Sequence, residues 1–200
     1  MSCVTNLCLK LSMLMTDINP EHNKDMIDVD TVIENSQWHN HICDIPEKVS
    51  MICKTAFDYS CAKILMDILD RISSVEIAVL LSDNREMQDL NNRFRHQDKA
   101  TNILSFPSYF ASPSPDDINE NGIFHLGDII LGLEKIKEEA EAQKKSFENH
   151  FTHLLIHGVL HLCGYEHDTD KNATEMEQLE IRILNDFGIE NPYLQKESMA

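Results

Sequence analysis

The chain has 200 residues, with 17 Lys plus Arg against 34 Asp plus Glu and a formal net charge of -17. That length suits one domain with a continuous core, and the charge excludes capture of nucleic acid or an anionic membrane by a broad basic surface. Any contact with a polyanion must use a local basic patch or a bound cation.

The residues through Met15 are fairly apolar but lack the basic start and small-residue cleavage site of a signal peptide. Residues 1–24 carry no sustained period and read as an amino-terminal extension to a domain spanning 25–200. No run of about 18 uncharged apolar residues occurs, so no membrane-spanning helix is predicted. Cysteines at 3, 8, 43, 53, 61 and 163 form neither a CxxC pair nor a dense even spacing, which points to a reducing cytoplasm rather than a secreted disulfide scaffold.

Met26 to Ile33 alternates like a half-buried strand, and Asn35 to Pro46 reads as a polar connection whose proline can start a helix. Helical spacing of Val49, Ile52, Ala56, Tyr59, Ala62, Leu65, Ile68 and Leu69 predicts a core-facing helix over 47–69. Val75 to Leu81 is a β-branched, apolar strand, followed by Ser82, Asp83 and Asn84 as caps for a helix running to about Arg95. Asn102 to Phe106 is a short strand stopped by Pro107. The stretch from Pro107 to Gly122, rich in proline, serine and aspartate, reads as an irregular loop beside a site. Ile123 to Leu131 is the next strand. From Leu133 the pattern is helical, with a charged face through Lys145 and then an apolar face at Phe147, Phe151, Leu154 and Leu155. A last helix over 173–187 buries Met176, Leu179, Ile183 and Leu184 and stops at Gly188.

Chemistry concentrates in FTHLLIHGVLHLCGYEHD, residues 151–168. His157 and His161 are one helical turn apart and share a face. Gly164 lets the helix end and the chain turn back, delivering His167 as a third nitrogen ligand. Three neutral imidazoles with one position left open are the donor set of catalytic zinc, one ion per chain, rather than of a closed structural site. His153 reads as a helix residue or a partner behind the ligands, and Cys163 as buried packing. Gly158 stands where the H-E-x-x-H zinc peptidases carry their general base, which disfavours peptide hydrolysis. Glu166, Asp168 and Asp128 are candidates to orient an imidazole or move a proton.

The chain closely resembles the YbeY family of bacterial endoribonucleases over residues 26–190. Three blocks carry the likeness: LNNRFRHQDKATNILSFP (90–107), LGDII (126–130) and HGVLHLCGYEH (157–167). The resemblance implies a compact α+β domain, a mixed, mostly four-stranded sheet packed with helices, with the metal site on a helix and its following turn. It also implies zinc on His157, His161 and His167, and a functional arginine at Arg95. The activity implied is zinc-dependent endonucleolytic cleavage of single-stranded ribosomal RNA, at the 3′ end of the small-subunit RNA, in ribosome maturation and quality control. Two positions depart from many members, which have aspartate where this chain has Glu166 and Asn102. A guanidinium matches two phosphate oxygens, and Arg93, His96 and Lys99 join Arg95 as RNA-contact candidates. Phe106 is read as core rather than as a base-stacking surface. Expected partners are ribosomal RNA, the small subunit and, given the acidic surface, a ribosomal protein. The alternatives are a ribosome-assembly or RNA-binding module with structural zinc, and a zinc metallopeptidase. Oligomeric state is not legible in the sequence.

Overall fold

The computed structural model describes residues 26–60, 64, 65 and 68–194; the extension over 1–24 lies outside them. Four strands, β1 (Ile27–Ile33), β2 (Ser74–Ser82), β3 (Ile103–Pro107) and β4 (Ile123–Gly132), form one sheet in the order β1-β2-β4-β3. β1, β2 and β4 are parallel, and β3 runs antiparallel to β4 as an edge strand. The α+β domain with a mixed four-stranded sheet is therefore the one expected. Among the described residues no helix is long and apolar enough to cross a membrane.

Alternation along the strands divides the side chains between two faces of the sheet. Val75, Ile77, Val79 and Leu81 of β2, with Phe124, Leu126, Ile129 and Leu131 of β4, enter the main core. That face is covered by α1 (Ile45–Ser60) and α4 (Phe147–Leu162), with α5 (Asp170–Asp186) packed outside them. On the other face Leu104 and Ile130 meet Met87 of α2 (Asn84–Arg95) in a smaller cluster, with Leu80, Leu90 and Phe106 at its margin. The remaining helix, α3 (Leu133–Ala142), follows β4 directly and packs against α4.

Three expectations need correction. The helix predicted over 47–69 ends at Ser60, whose hydroxyl turns back to donate to the Ala56 and Phe57 carbonyls. Residues 61–63 lie outside the described set, and Leu65 and Ile68 are buried from irregular backbone instead. The helical stretch after Leu133 is two helices, separated where Lys144 takes a left-handed φ of 54° and Ser146 caps α4 by accepting from the Asn149 amide at 3.1 Å. The connection after Asn35 contains a 3-10 turn over Ser36–Asn40 that buries Trp38 completely; its indole N–H donates to the Ser82 carbonyl at 3.1 Å. A buried N–H needs an acceptor, so this bond ties the end of β2 to the β1–α1 connection.

Candidate metal centre

Helix α4 is buried nearly all round, which places its two exposed-edge histidines on a rigid support. Its glycine, Gly158, faces the sheet: a Cβ there would meet Ile103 Cδ1 at 2.8 Å, Ser105 Oγ at 3.1 Å and Ile129 Cδ1 at 3.2 Å. The position after His157 thus points into β3 and β4, and a general-base glutamate has no room there. Two bonds end the helix, Tyr165 N–H to Leu160 O at 3.0 Å and Gly164 N–H to His161 O at 2.9 Å, with Gly164 at φ 76°. This is the Schellman arrangement, whose left-handed residue reverses the chain, and it carries His167 back over α4.

His157, His161 and His167 each offer one ring nitrogen within 4.8 Å of the other two, and among the described residues this potential metal-holding group has three members. The Nε2 atoms of His157 and His161 are 3.0 Å apart, close to the roughly 3.3 Å between neighbouring ligands in a tetrahedral zinc site with bonds of about 2.0–2.1 Å. The residues present therefore fit a zinc ion.

Their protonation fits as well. His157 Nδ1 lies 2.8 Å from Glu180 Oε1, so its ring proton is held there and the Nε2 lone pair faces the other histidines. Burial, followed by the charges of His157 and His167, pushes the His161 pKa down to about 4, leaving a neutral ring able to donate a lone pair near pH 7. Glu166 Oε2 stands 3.6 Å from His161 Nδ1 while remaining largely exposed.

Sequence reasoning missed Glu180. It is 1% exposed and binds His157 through one oxygen and His153 Nε2, at 3.0 Å, through the other, which also accepts from the Tyr193 hydroxyl. Burial favours the protonated acid, but hydrogen bonds and charge from the two histidines outweigh it and hold the pKa down at about 2. A signal existed: Glu180 falls within the apolar stripe of α5, between Leu179 and Ile183, where an unpaired carboxylate is costly. Its partner Tyr193, beyond Gly188, carried no such periodicity.

The other predicted residues lie elsewhere. Asp128 alternates with Ile129, so it sits on the opposite sheet face from α4, where its carboxylate meets His125 Nε2 at 3.1 Å. Asp168 accepts from Asn172 Nδ2 at 2.7 Å at the start of α5. Asn102 is also away from the histidines: it donates to Glu139 Oε2 at 2.8 Å, and the same oxygen meets His150 Nε2 at 2.9 Å. Cys163 is buried. Phe106 is partly buried and packs edge-on against Phe94 with ring centroids 5.0 Å apart.

Arg95 is the last residue of α2, and His96 caps that helix at φ 56°. Arg93, Arg95, His96 and Lys99 are all exposed, and among the described residues none of them forms a salt bridge. The backbone beyond them is pinned by Asn91, whose amide donates to the Lys99 carbonyl at 2.8 Å. β3 stands between this segment and the histidines: Ile103 and Ser105 face α4, whereas Leu104 and Phe106 face α2. A ligand touching both must cross that sheet edge.

An α+β domain carrying three convergent histidines over a buried orienting carboxylate belongs to the class of metal-dependent hydrolases. The model of one family, described as endoribonuclease YbeY, matches residues 32–188, and the chain belongs to that family. An endoribonuclease YbeY of Francisella philomiragia is 45% identical over 127 residues, covering 64% of this chain and 78% of that one. One from Bartonella bacilliformis is 38% identical over 172 residues, 84% of this chain and 98% of the relative. A solution structure from Thermotoga maritima aligns over 86% of this chain and 93% of its own, with 22% identity and a TM-score of 0.46.

Proposed function

We propose that this protein cleaves phosphodiester bonds of single-stranded ribosomal RNA with one zinc ion held by His157, His161 and His167, and that it acts at the 3′ end of small-subunit RNA during ribosome maturation and quality control in the cytoplasm. The observation that carries this reading is the convergence of three histidine ring nitrogens with no fourth side chain in the group among the described residues, in a chain whose relatives are named endoribonucleases. Structural zinc sites are ordinarily closed by four protein ligands.

When bound, zinc supplies Lewis acidity toward a phosphoryl oxygen or a water molecule. The chain's own residues do the rest. Glu180 keeps the His157 proton on Nδ1, and burial keeps His161 neutral. Arg95, unpaired among the described residues, presents a planar fork to the phosphate and offsets the charge that grows on its oxygens as the bond breaks. Arg93, His96 and Lys99 hold neighbouring phosphates, a local attraction in an otherwise repelling acidic field. Of the three carboxylates first considered, Glu166 lies nearest a ligand and is exposed enough to exchange a proton with solvent. With so acidic a surface, a ribosomal protein of the small subunit is the partner that brings RNA to the site.

The test is cleavage of a 3′-extended small-subunit RNA precursor, free and in ribosomal particles, by zinc-loaded wild type, His157→Ala and Arg95→Ala, each checked for retained helix content. The expected outcome is loss of cleavage and of zinc in His157→Ala, and a fall of about 100–1,000-fold in Arg95→Ala with zinc retained. Undiminished cleavage by His157→Ala rejects the catalytic ion. Particle binding without cleavage by any of the proteins favours an assembly role.

A further inference from the structure

Beyond the ligands lies a second layer that the activity does not by itself require. After α5 ends at Asp186, Gly188 takes a φ of 68° and the chain turns back, and Asn191 Oδ1 accepts from the Tyr193 amide at 2.8 Å. This brings the Tyr193 ring edge-on to His153, centroids 5.8 Å apart, and directs its hydroxyl to Glu180 Oε2. His153 Nε2 completes the triangle, 3.0 Å from that same oxygen and 3.3 Å from the Tyr193 hydroxyl.

A carboxylate bonded only to His157 is free to rotate about its terminal torsion, which is broad and soft. Two further donors on its other oxygen remove that freedom. The phenol must donate to Glu180, because the carboxylate only accepts, and its oxygen is then free to accept from His153. We infer that Tyr193 is a positioning residue for the metal centre: by fixing Glu180 it fixes His157, so the docked carboxyl-terminal segment over 191–194 sets the affinity for zinc. The inference rests on the proposed zinc site and adds that this affinity is under the control of a segment that acts on it through Glu180.

A matched control exists on the same helix. Tyr59 donates an equivalent bond, 2.8 Å, to Asp186, joining α1 to α5 further along from Glu180. Zinc affinity of the full chain is measured by competition with a chromogenic chelator for wild type, Tyr193→Phe and Tyr59→Phe, with helix content checked in each. Groups behind a metal ligand typically change affinity about 10–100-fold, and a group one bond further out is expected to weaken zinc by about 3–10-fold. Tyr59→Phe is expected to leave it unchanged. Equal affinity in wild type and Tyr193→Phe overturns the inference, as does an equal loss in both variants. Should Tyr193→Phe fail to reach wild-type helix content, the solvent exchange of the His157 Nδ1 proton in wild type decides: slow exchange supports the locked triangle, and exchange as fast as that of an exposed imidazole overturns it. Failure of wild type itself to bind one zinc would instead remove the proposed function.

Discussion

The two faces of the sheet solve opposite problems. On the α4 side Trp38, Phe57, Phe124 and Phe151 are at most 1% exposed, and the histidines rise from a helix seated directly on β3 and β4. On the α2 side, among the described residues, a single helix covers part of the sheet, leaving an open apolar groove of about 500 Å³ lined by Val32, Ala78, Leu80, Phe94 and Phe106 among others. There Phe94 is 56% exposed, and the basic side chains of 93–99 stand in solvent. A metal site needs ligands held to a fraction of an ångström, which a packed core provides. A long, flexible polyanion needs accessible cations instead. The comparison teaches that this chain separates a rigidly seated histidine cluster from an exposed basic segment across one sheet, with the β3 edge between them.

The largest effect is expected from crowding the covered face. Gly158→Glu drives a carboxylate into Ile103, Ser105 and Ile129, combining overpacking with an unpaired buried charge, at a cost on the order of 5 kcal/mol. Thermal melts should show a protein that is unfolded or far less stable, with no gain of peptidase activity. A folded variant of near wild-type midpoint would break the claim that α4 is seated on the sheet. Glu180→Gln comes next. It keeps the side-chain shape but removes the charge that holds the His157 proton, and zinc affinity by chelator competition should fall about 10–100-fold. An unchanged affinity would mean that packing alone orients His157.

The unequal legibility of the two faces follows from the same physics. The histidine cluster was readable because a helical turn and a glycine reversal are local: His157, His161, Gly164 and His167 lie within one short segment. β2 and α2 were readable within a residue or two because their alternation and the Asp83 cap are local as well. The end of α1 was not, since Leu65 and Ile68 keep helical spacing while being buried from irregular backbone. Nor was the orienting carboxylate, because Glu180 reaches His157 only through the packing of α5 on α4, and a single acid in an apolar stripe is informative only once its partner is known. The face that Asp128 joins was not readable either: a strand alternates, and one residue of register decides which face a side chain joins.

The smallest effect tests whether the covered face is held by charge as well as by packing. Glu139 of α3 accepts from Asn102 at the start of β3 and from His150 of α4 through one oxygen, joining three elements. Burial acts to raise its pKa, but the bonds from His150 and Asn102 outweigh it and hold it below the usual glutamate value. The sign follows directly. A folded-state pKa below the unfolded one contributes stability that is complete above the unfolded value and is lost as pH falls through the folded one. Glu139→Gln retains an acceptor but no charge, so it should lower stability near pH 7 by about 1 kcal/mol, after allowance for partial solvent screening. The difference between variant and wild type should shrink as the pH drops below the normal carboxylate range. Parallel denaturation curves at neutral and acid pH check this. A difference that persists undiminished in acid would assign the bridge to shape alone, and a variant more stable than wild type at pH 7 would show that desolvating Glu139 costs more than its two donors return.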